Sequence, residues 1–291
     1  MIRKFLRRDN GKKDILTLAQ ARKILKKNLS NCDAMFTIGQ HYLCGIGVLQ
    51  HTPTAYLWLE KAYGFGHAKS ASLMALIQLS WHDEGIPGDI PGAHIPKKAA
   101  FSDIRDLAIT GHLAGCPIGS SVVVKLSLRL PECPVLSENL PDALIRAAEA
   151  GDVLSCALSV QKAIASKNNE DIKRYMELGG NASPQAHLML AQYYQMRNPG
   201  AALFHLKKSA DLNNPEAQYH LGLRRIVQKS YLVGESLLRR AALAGHATAA
   251  ATLGDLYRGT EMYNPHESRT WYAHAIALGH EKSKEALASM N

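Results

Sequence analysis

Thirteen histidines and five cysteines are the residues of this chain whose chemistry reaches beyond packing. An imidazole ligates metals and shuttles protons near neutral pH, and a thiolate attacks electrophiles or binds soft metals. Spacing decides whether either chemistry is assembled. Cys32, Cys44, Cys116, Cys133 and Cys156 form no Cys-x-x-Cys pair and recur at no fixed interval, so reduced thiols in a cytoplasmic protein are expected. His82, Asp83, Glu84 and His94 fall within one stretch rich in Pro and Gly. They match no closed ligand set, and an ordinary surface loop is expected there instead of a metal cage. The chain has no phosphate-cradling Gly-x-x-x-x-Gly-Lys, no Gly-x-Gly-x-x-Gly, no Gly-x-Ser-x-Gly and no His-Glu-x-x-His. The expectation is a protein that is not an enzyme and uses no cofactor or metal.

Charge is the other chemical resource, and it is concentrated. Lys and Arg number 34 against 25 Asp and Glu, a net charge of +9 over 291 residues. Arg3, Lys4, Arg7, Arg8, Lys12, Lys13, Arg22, Lys23, Lys26 and Lys27 face only Asp9 and Asp14 within the first 27 residues, so almost the whole surplus lies in this arm. From Asp14 to Leu29 the chain reads as an amphipathic helix, with Leu18, Leu25 and Leu29 opposite Arg22, Lys23, Lys26 and Lys27. Three readings follow. The helix caps the end of a repeat array with its charged side in water. Alternatively, it presents a contact surface for a nucleic acid or an acidic protein, with steep salt dependence in the first case. A membrane surface is the third, although the apolar stripe has no Trp. The run Ile15–Ala19 is too short for a secretory leader, and no stretch of 18 apolar residues exists to span a membrane.

The elements that would position these groups announce themselves by repetition. Turn signals recur at Gly66-His67, Gly111-His112, Gly151-Asp152, Gly179-Gly180-Asn181, Asn213-Asn214, Gly245-His246 and Gly279-His280. About one helix pair earlier stand Ile38-Gly39-Gln40-His41-Tyr42, Leu190-Ala191-Gln192-Tyr193-Tyr194, Leu221-Gly222 and Leu253-Gly254-Asp255-Leu256-Tyr257. Leu and Tyr at i and i+4 supply one apolar helix face, while the small residue beside the Leu admits a partner helix. Ala62, Ala241 and Ala275 do the same from the second helix, with Trp58 and Trp271 covering the seam. Gly66, Gly245 and Gly279 suit a helix end in the left-handed conformation, and the histidines after the turn glycines suit the freed helix carbonyls. A single hairpin of this kind leaves its outer faces apolar, so copies must stack.

The segment Ala34–His67, with Ile38-Gly39, Tyr42, Gly45-Ile46-Gly47-Val48, Trp58-Leu59-Glu60-Lys61-Ala62 and Gly66-His67, resembles a Sel-one-like repeat, a relative of the tetratricopeptide repeat. Residues 247–280 resemble a second copy and 183–246 two weaker ones, in which Arg225 replaces the usual Tyr and His205 or Leu237 the usual Trp. The resemblance covers about 34–280, strongest at its two ends. It implies an all-α, right-handed superhelical solenoid of about six to seven antiparallel hairpins, and a bacterial scaffold or adaptor in signalling, secretion or virulence regulation. Its expected partner is a protein or peptide in the concave groove. First-helix positions not needed for packing are Lys125, Arg129, Gln192, Gln195 and Arg224, and Arg225 joins them because it displaces a Tyr. The alternative is a nucleic-acid-binding regulator that uses the basic arm, with the solenoid forming a homo-oligomer.

The domain reading is thus an arm and capping helix at 1–30, a solenoid at 31–280 and a C-terminal cap at 281–291. Irregular insertions are expected near 80–100 and 117–141. Residues 122–130 alternate like a strand but put Val122, Leu126 and Leu130 on one helix face. Pro131, Pro134 and Pro141 mark a connector, with Asp142 as cap of the next helix.

Overall fold

A computed structural model describes residues 16–86, 97–259 and 262–290, and every described element is helical. The sixteen α-helices run α1 Leu18–Lys27, α2 Cys32–Cys44, α3 Thr52–Gly64, α4 Lys69–Glu84, α5 Phe101–Leu113, α6 Pro117–Arg129, α7 Pro134–Glu149 and α8 Val153–Ala165. They continue as α9 Asn169–Leu178, α10 Pro184–Tyr194, α11 Pro199–Asp211, α12 Pro215–Val227, α13 Tyr231–Leu243, α14 Ala247–Gly259, α15 Pro265–Ala277 and α16 Lys282–Ala288. The chain divides into two compact units at Ser159/Val160, within α8.

Local chemistry explains where the helices start. Asn31, Ser183, Asn198, Asn214 and Asn264 each accept a hydrogen bond from the backbone N–H three residues on, at 2.8–3.2 Å. Four of these caps are followed directly by Pro184, Pro199, Pro215 and Pro265, whose missing N–H costs nothing in the first turn. Thr17 and Gln20 make a reciprocal capping box at α1.

Nine helix ends among the described residues share one closure. At α2 the N–H of Ile46, which follows the left-handed Gly45, donates to the His41 carbonyl at 3.0 Å. At the other eight the N–H of residue His67, Cys116, Asp152, Asn168, Asn214, Ser230, His246 or His280 donates to the carbonyl five residues earlier, at 2.9–3.1 Å. The residue just before each donor (Gly66, Gly115, Gly151, Lys167, Asn213, Lys229, Gly245 and Gly279) has positive φ. Two expectations are corrected here. Gly111-His112 is no turn, because both lie inside α5 and the left-handed residue is Gly115. The histidines after the joints meet the freed carbonyls through their backbone N–H alone, and their rings serve the following helix: His67 and His280 bond Ser70 and Ser283, and Nδ1 of His246 accepts from the Ala249 N–H.

In the first unit α2/α3, α4/α5 and α6/α7 pack as antiparallel pairs, with α1 against α2. One core gathers Leu43, Tyr56, Leu59, Ile77, Trp81 and Ile118, and another Ile104, Val122, Val123, Leu126, Leu136 and Leu144. The second unit pairs α10/α11, α12/α13 and α14/α15, with α16 against α15. Six such pairs pack among the described residues, and α8 and α9 follow one another in the chain between the third and the fourth. Ala62, Ala241 and Ala275 are fully buried, as close helix approach demands. Trp271 is buried, and Trp58 packs over the α1–α2 contact.

The irregular middle is regular where it is described. Residues 117–129 form α6, because Val122, Val123, Val124 and Leu126 all find α4, α5 and α7 to pack on. The supposed connector is mostly α7, which starts at Pro134 after Cys133 and holds Pro141 inside it, so Asp142 is no cap. Residues 87–96 and 1–15 lie outside the described residues, and with them His94 and part of the expected insertion and arm. In α1 the apolar stripe is Leu18, Ile24 and Leu25, because the helix ends at Lys27 and leaves Leu29 76% exposed.

Candidate functional site

In the second unit the first helices of two successive pairs, α10 and α12, flank α11 and leave an open cleft of about 490 Å³. Ser183 and Pro184 start α10 and Asn214 and Pro215 start α12, so both helices begin from the same Ser/Asn-Pro device. Leu188, Leu203 and Leu206 give the cleft an apolar floor, and Gln192, Gln195, His220 and Arg224 supply its polar groups. Three of the six expected groove residues are thereby brought together. Arg224 is exposed and its planar fork of donors has no ion-pair partner among the described residues. Arg225 is not part of the cleft lining; its Nη1 donates to Gln228 Oε1 at 3.2 Å.

Behind these groups the histidines act on one another and on one carboxylate. His220 Nε2 lies 2.9 Å from Glu216 Oε1, and His246 Nε2 lies 2.8 Å from Oε2 of the same residue. Burial works to raise the Glu216 pKa, but its bonds to His246 and His220 outweigh that and hold it below the usual carboxylate range. On the α10/α11 contact His187 Nδ1 meets His205 Nδ1 at 2.9 Å, and Tyr194 stacks on the His205 ring. Burial, reinforced by His187, pushes His205 down to about 4.

The first unit separates the remaining expected residues. Lys125, on α6, lines a mostly apolar pocket of about 310 Å³ bounded also by α2 and α4. Arg129, one turn further, pairs with Asp83 at 2.8 Å and borders a shallower hollow beside Arg105 and Cys133. The Cys133 thiol, at the start of α7, is drawn below its usual pKa by the Leu136 N–H, against a smaller opposing effect of burial and with Arg105 adding to the lowering. Of the basic arm, Arg22 donates to the Tyr42 hydroxyl at 3.2 Å, while Lys23, Lys26 and Lys27 are exposed along α1. Arg3, Lys4, Arg7, Arg8, Lys12 and Lys13 lie outside the described residues. Among the described residues no cluster of three His, Cys, Asp or Glu side chains is arranged to hold a metal, and no helix is long and apolar enough to cross a membrane.

Sequence reasoning missed Gln50, Thr52 and Ser80 as pocket-lining residues and saw Glu84 only as a loop acid. No sequence motif marks them: Gln50 precedes α3, Thr52 begins it, and Ser80 and Glu84 lie in the last turns of α4, which the sequence reading assigned to a loop.

The capped, closely packed helix pairs and their recurring left-handed joints define an all-helical repeat protein of the solenoid class. Solved structures specify it further. A protective antigen present in uropathogenic Escherichia coli strains and displaying an SLR fold matches with a TM-score of 0.65 and 18% identity over 99% of this chain. The chain spans 62% of that antigen's length. A Sel1 repeat protein from Oxalobacter formigenes matches with a TM-score of 0.62 and 18% identity over 94% of this chain and 80% of that one. No family model matches the chain, and no curated protein matches it. The fold is thus the Sel1-type repeat fold.

Proposed function

We propose that this chain is a protein-interaction scaffold that holds a peptide segment of a partner in the cleft of its second unit. The observation that carries this reading is the convergence of Gln192, Gln195 and Arg224 from two successive first helices over a floor of Leu188, Leu203 and Leu206. Amides read a backbone through paired donors and acceptors, a guanidinium takes a carboxylate in two-pronged fashion, and the leucines accept an apolar side chain. The fold supports the reading, since stacked helix pairs offer extended surfaces from adjacent first helices. A cytoplasmic, bacterial setting is part of the proposal.

The test is selection of peptides from a random displayed library on the immobilised full-length chain, followed by affinity measurement with Arg224→Glu and Gln192→Ala/Gln195→Ala variants. Loss of the selected peptides in both variants, with unchanged circular dichroism, supports the cleft. Peptides that bind both variants normally rule it out. A salt series with random duplex DNA separates the rival reading, in which the exposed Lys23, Lys26 and Lys27 and the rest of the arm grip phosphates.

A further inference from the structure

The cleft of the second unit has a charge as well as a shape. Between Pro184 and Ser230, α10, α11 and α12 with their turns carry six Lys and Arg against two acids. Neither acid neutralises a base there. Glu216 is held by His220 and His246, and Asp211, the last residue of α11, forms no ion pair among the described residues. The lining of the cleft contains no carboxylate.

Three of the bases stand around the leucine floor. Arg224 lines the cleft from α12. Lys207 follows Leu203 by four residues on α11, so it shares the side of the helix that supplies the floor, and it is exposed. Arg197 lies in the turn between Gln195 and Pro199, which both line the cleft. Its guanidinium donates to the Tyr193 carbonyl at 2.8 Å and lies 4.5 Å from the centre of the Tyr193 ring, so uncharged groups hold it in place. None of the three forms an ion pair among the described residues. A rim of unneutralised cations favours a negative partner and repels a positive one. We propose, on the scaffold reading above, that the segment held here is acidic: one apolar residue on the leucine floor, with Asp or Glu on both sides of it. The carboxylates on one side meet Arg224, and those on the other meet Lys207 and Arg197. A nucleic acid would satisfy the same cations, but no Phe, Tyr or Trp lines the cleft to stack on a base.

The experiment sorts a displayed library of short random segments around a central Leu on the immobilised full-length chain, in about 0.15 M salt. The bound pool is expected to be enriched about threefold or more in Asp and Glu over the input, and depleted in Lys and Arg. Single binders are expected to lose about fivefold in affinity with Lys207→Glu and to weaken as salt rises. Lys207 is exposed, so the variant is expected to fold, and circular dichroism checks this. Three outcomes overturn the proposal. They are a pool no richer in Asp and Glu than the input, acidic binders indifferent to Lys207→Glu, and displacement of the binders by random single-stranded DNA at equal charge concentration. The last would make the rim a nucleic-acid surface. The scaffold reading fails on a different result, namely binders that keep their affinity for the Arg224→Glu and Gln192→Ala/Gln195→Ala variants. A pool lost in those variants but without an acidic excess leaves the scaffold standing and removes this inference alone.

Discussion

The guanidinium of Arg239 lies 5.0 Å from the centre of the Trp271 ring, so that one helix of the fourteenth-to-fifteenth pair is clamped by a cation from the pair before it. The same side chain donates to Glu235 at 2.7 Å and to the Tyr257 hydroxyl at 2.9 Å, and Glu267 receives the Trp271 indole N–H at 3.0 Å. One long side chain thus joins α13, α14 and α15 through stacking and hydrogen bonds together. Arg239→Met keeps the stem but removes the cation and its bonds. A loss of about 1–2 kcal/mol is expected, read as a lower midpoint in urea with an unchanged slope. An unchanged midpoint would mean that the clamp is ornamental.

Gly254 shows how closely the two helices of a pair approach. A Cβ there would stand 2.6 Å from Cδ1 and Cε1 of the fully buried Tyr272 ring. Gly254→Ala is expected to destabilise by about 1–3 kcal/mol through overpacking. At Gly245 the added methyl meets open space, but φ is +92°, so Gly245→Ala is expected to lose about 1 kcal/mol through backbone strain alone. Adding Tyr272→Phe to Gly254→Ala leaves the clash in place, whereas Tyr272→Leu relieves part of it. Thermal unfolding of the four variants separates packing from strain.

The histidine pair on α10/α11 predicts an acid-sensitive second unit. His205 titrates near 6.5 when unfolded and at about 4 when folded, because burial and His187 disfavour its charged form. A lowered histidine pKa means that the unfolded chain binds the extra proton first as pH falls. The stability tied to this pair is therefore full above about pH 6.5 and declines as the pH drops toward 4. Urea midpoints measured at pH 7.5 and 5 should differ less in a His205→Phe variant than in wild type. An equal difference in both would place the acid sensitivity elsewhere.

Arg224 and Arg225 are neighbours in sequence with different surroundings, one lining the cleft and one bonded to Gln228. Peptides selected on wild type should lose about tenfold or more in affinity with Arg224→Glu. They should change little with Arg225→Glu. Equal losses would point to a diffuse charge effect in place of a cleft contact, and repeating the titration at high salt would confirm that.

The repeat architecture was legible because its determinants are short-range. Small residues beside Leu, paired with Ala on the partner helix, mark close packing at Gly254 and Ala275 as clearly in sequence as in space. Gly111-His112 misled because Gly serves two purposes. At Gly111 it admits the Ser72 side chain and backbone to within 3.0 Å of a would-be Cβ, while at Gly115 it supplies the left-handed joint. Pro141 misled because a proline inside a helix was read as a stop, yet α7 runs through it with Ala143, Leu144, Ala147 and Ala148 buried beyond. The site was half legible. Gln192, Gln195 and Arg224 could be placed on first helices from repeat position, but Thr52 and Glu84 come to one pocket only because α2, α3, α4 and α6 all border it.

The shared closure of these helix ends has a consequence for how such a chain can change its length. Each joint is a two-residue cassette: a left-handed residue, then a donor that closes the old helix and, at Asp152, Asn168, Asn214 and His246, caps the next. Cutting Asn214–Gly245 out of the gene would join Asn213 to His246, an intact cassette, and a duplication between the same two points would insert another. Recombination between joints that follow second helices, such as Asn213-Asn214 and Gly245-His246, therefore trades a whole helix pair without leaving a broken end, and an array built this way can be lengthened or shortened one pair at a time.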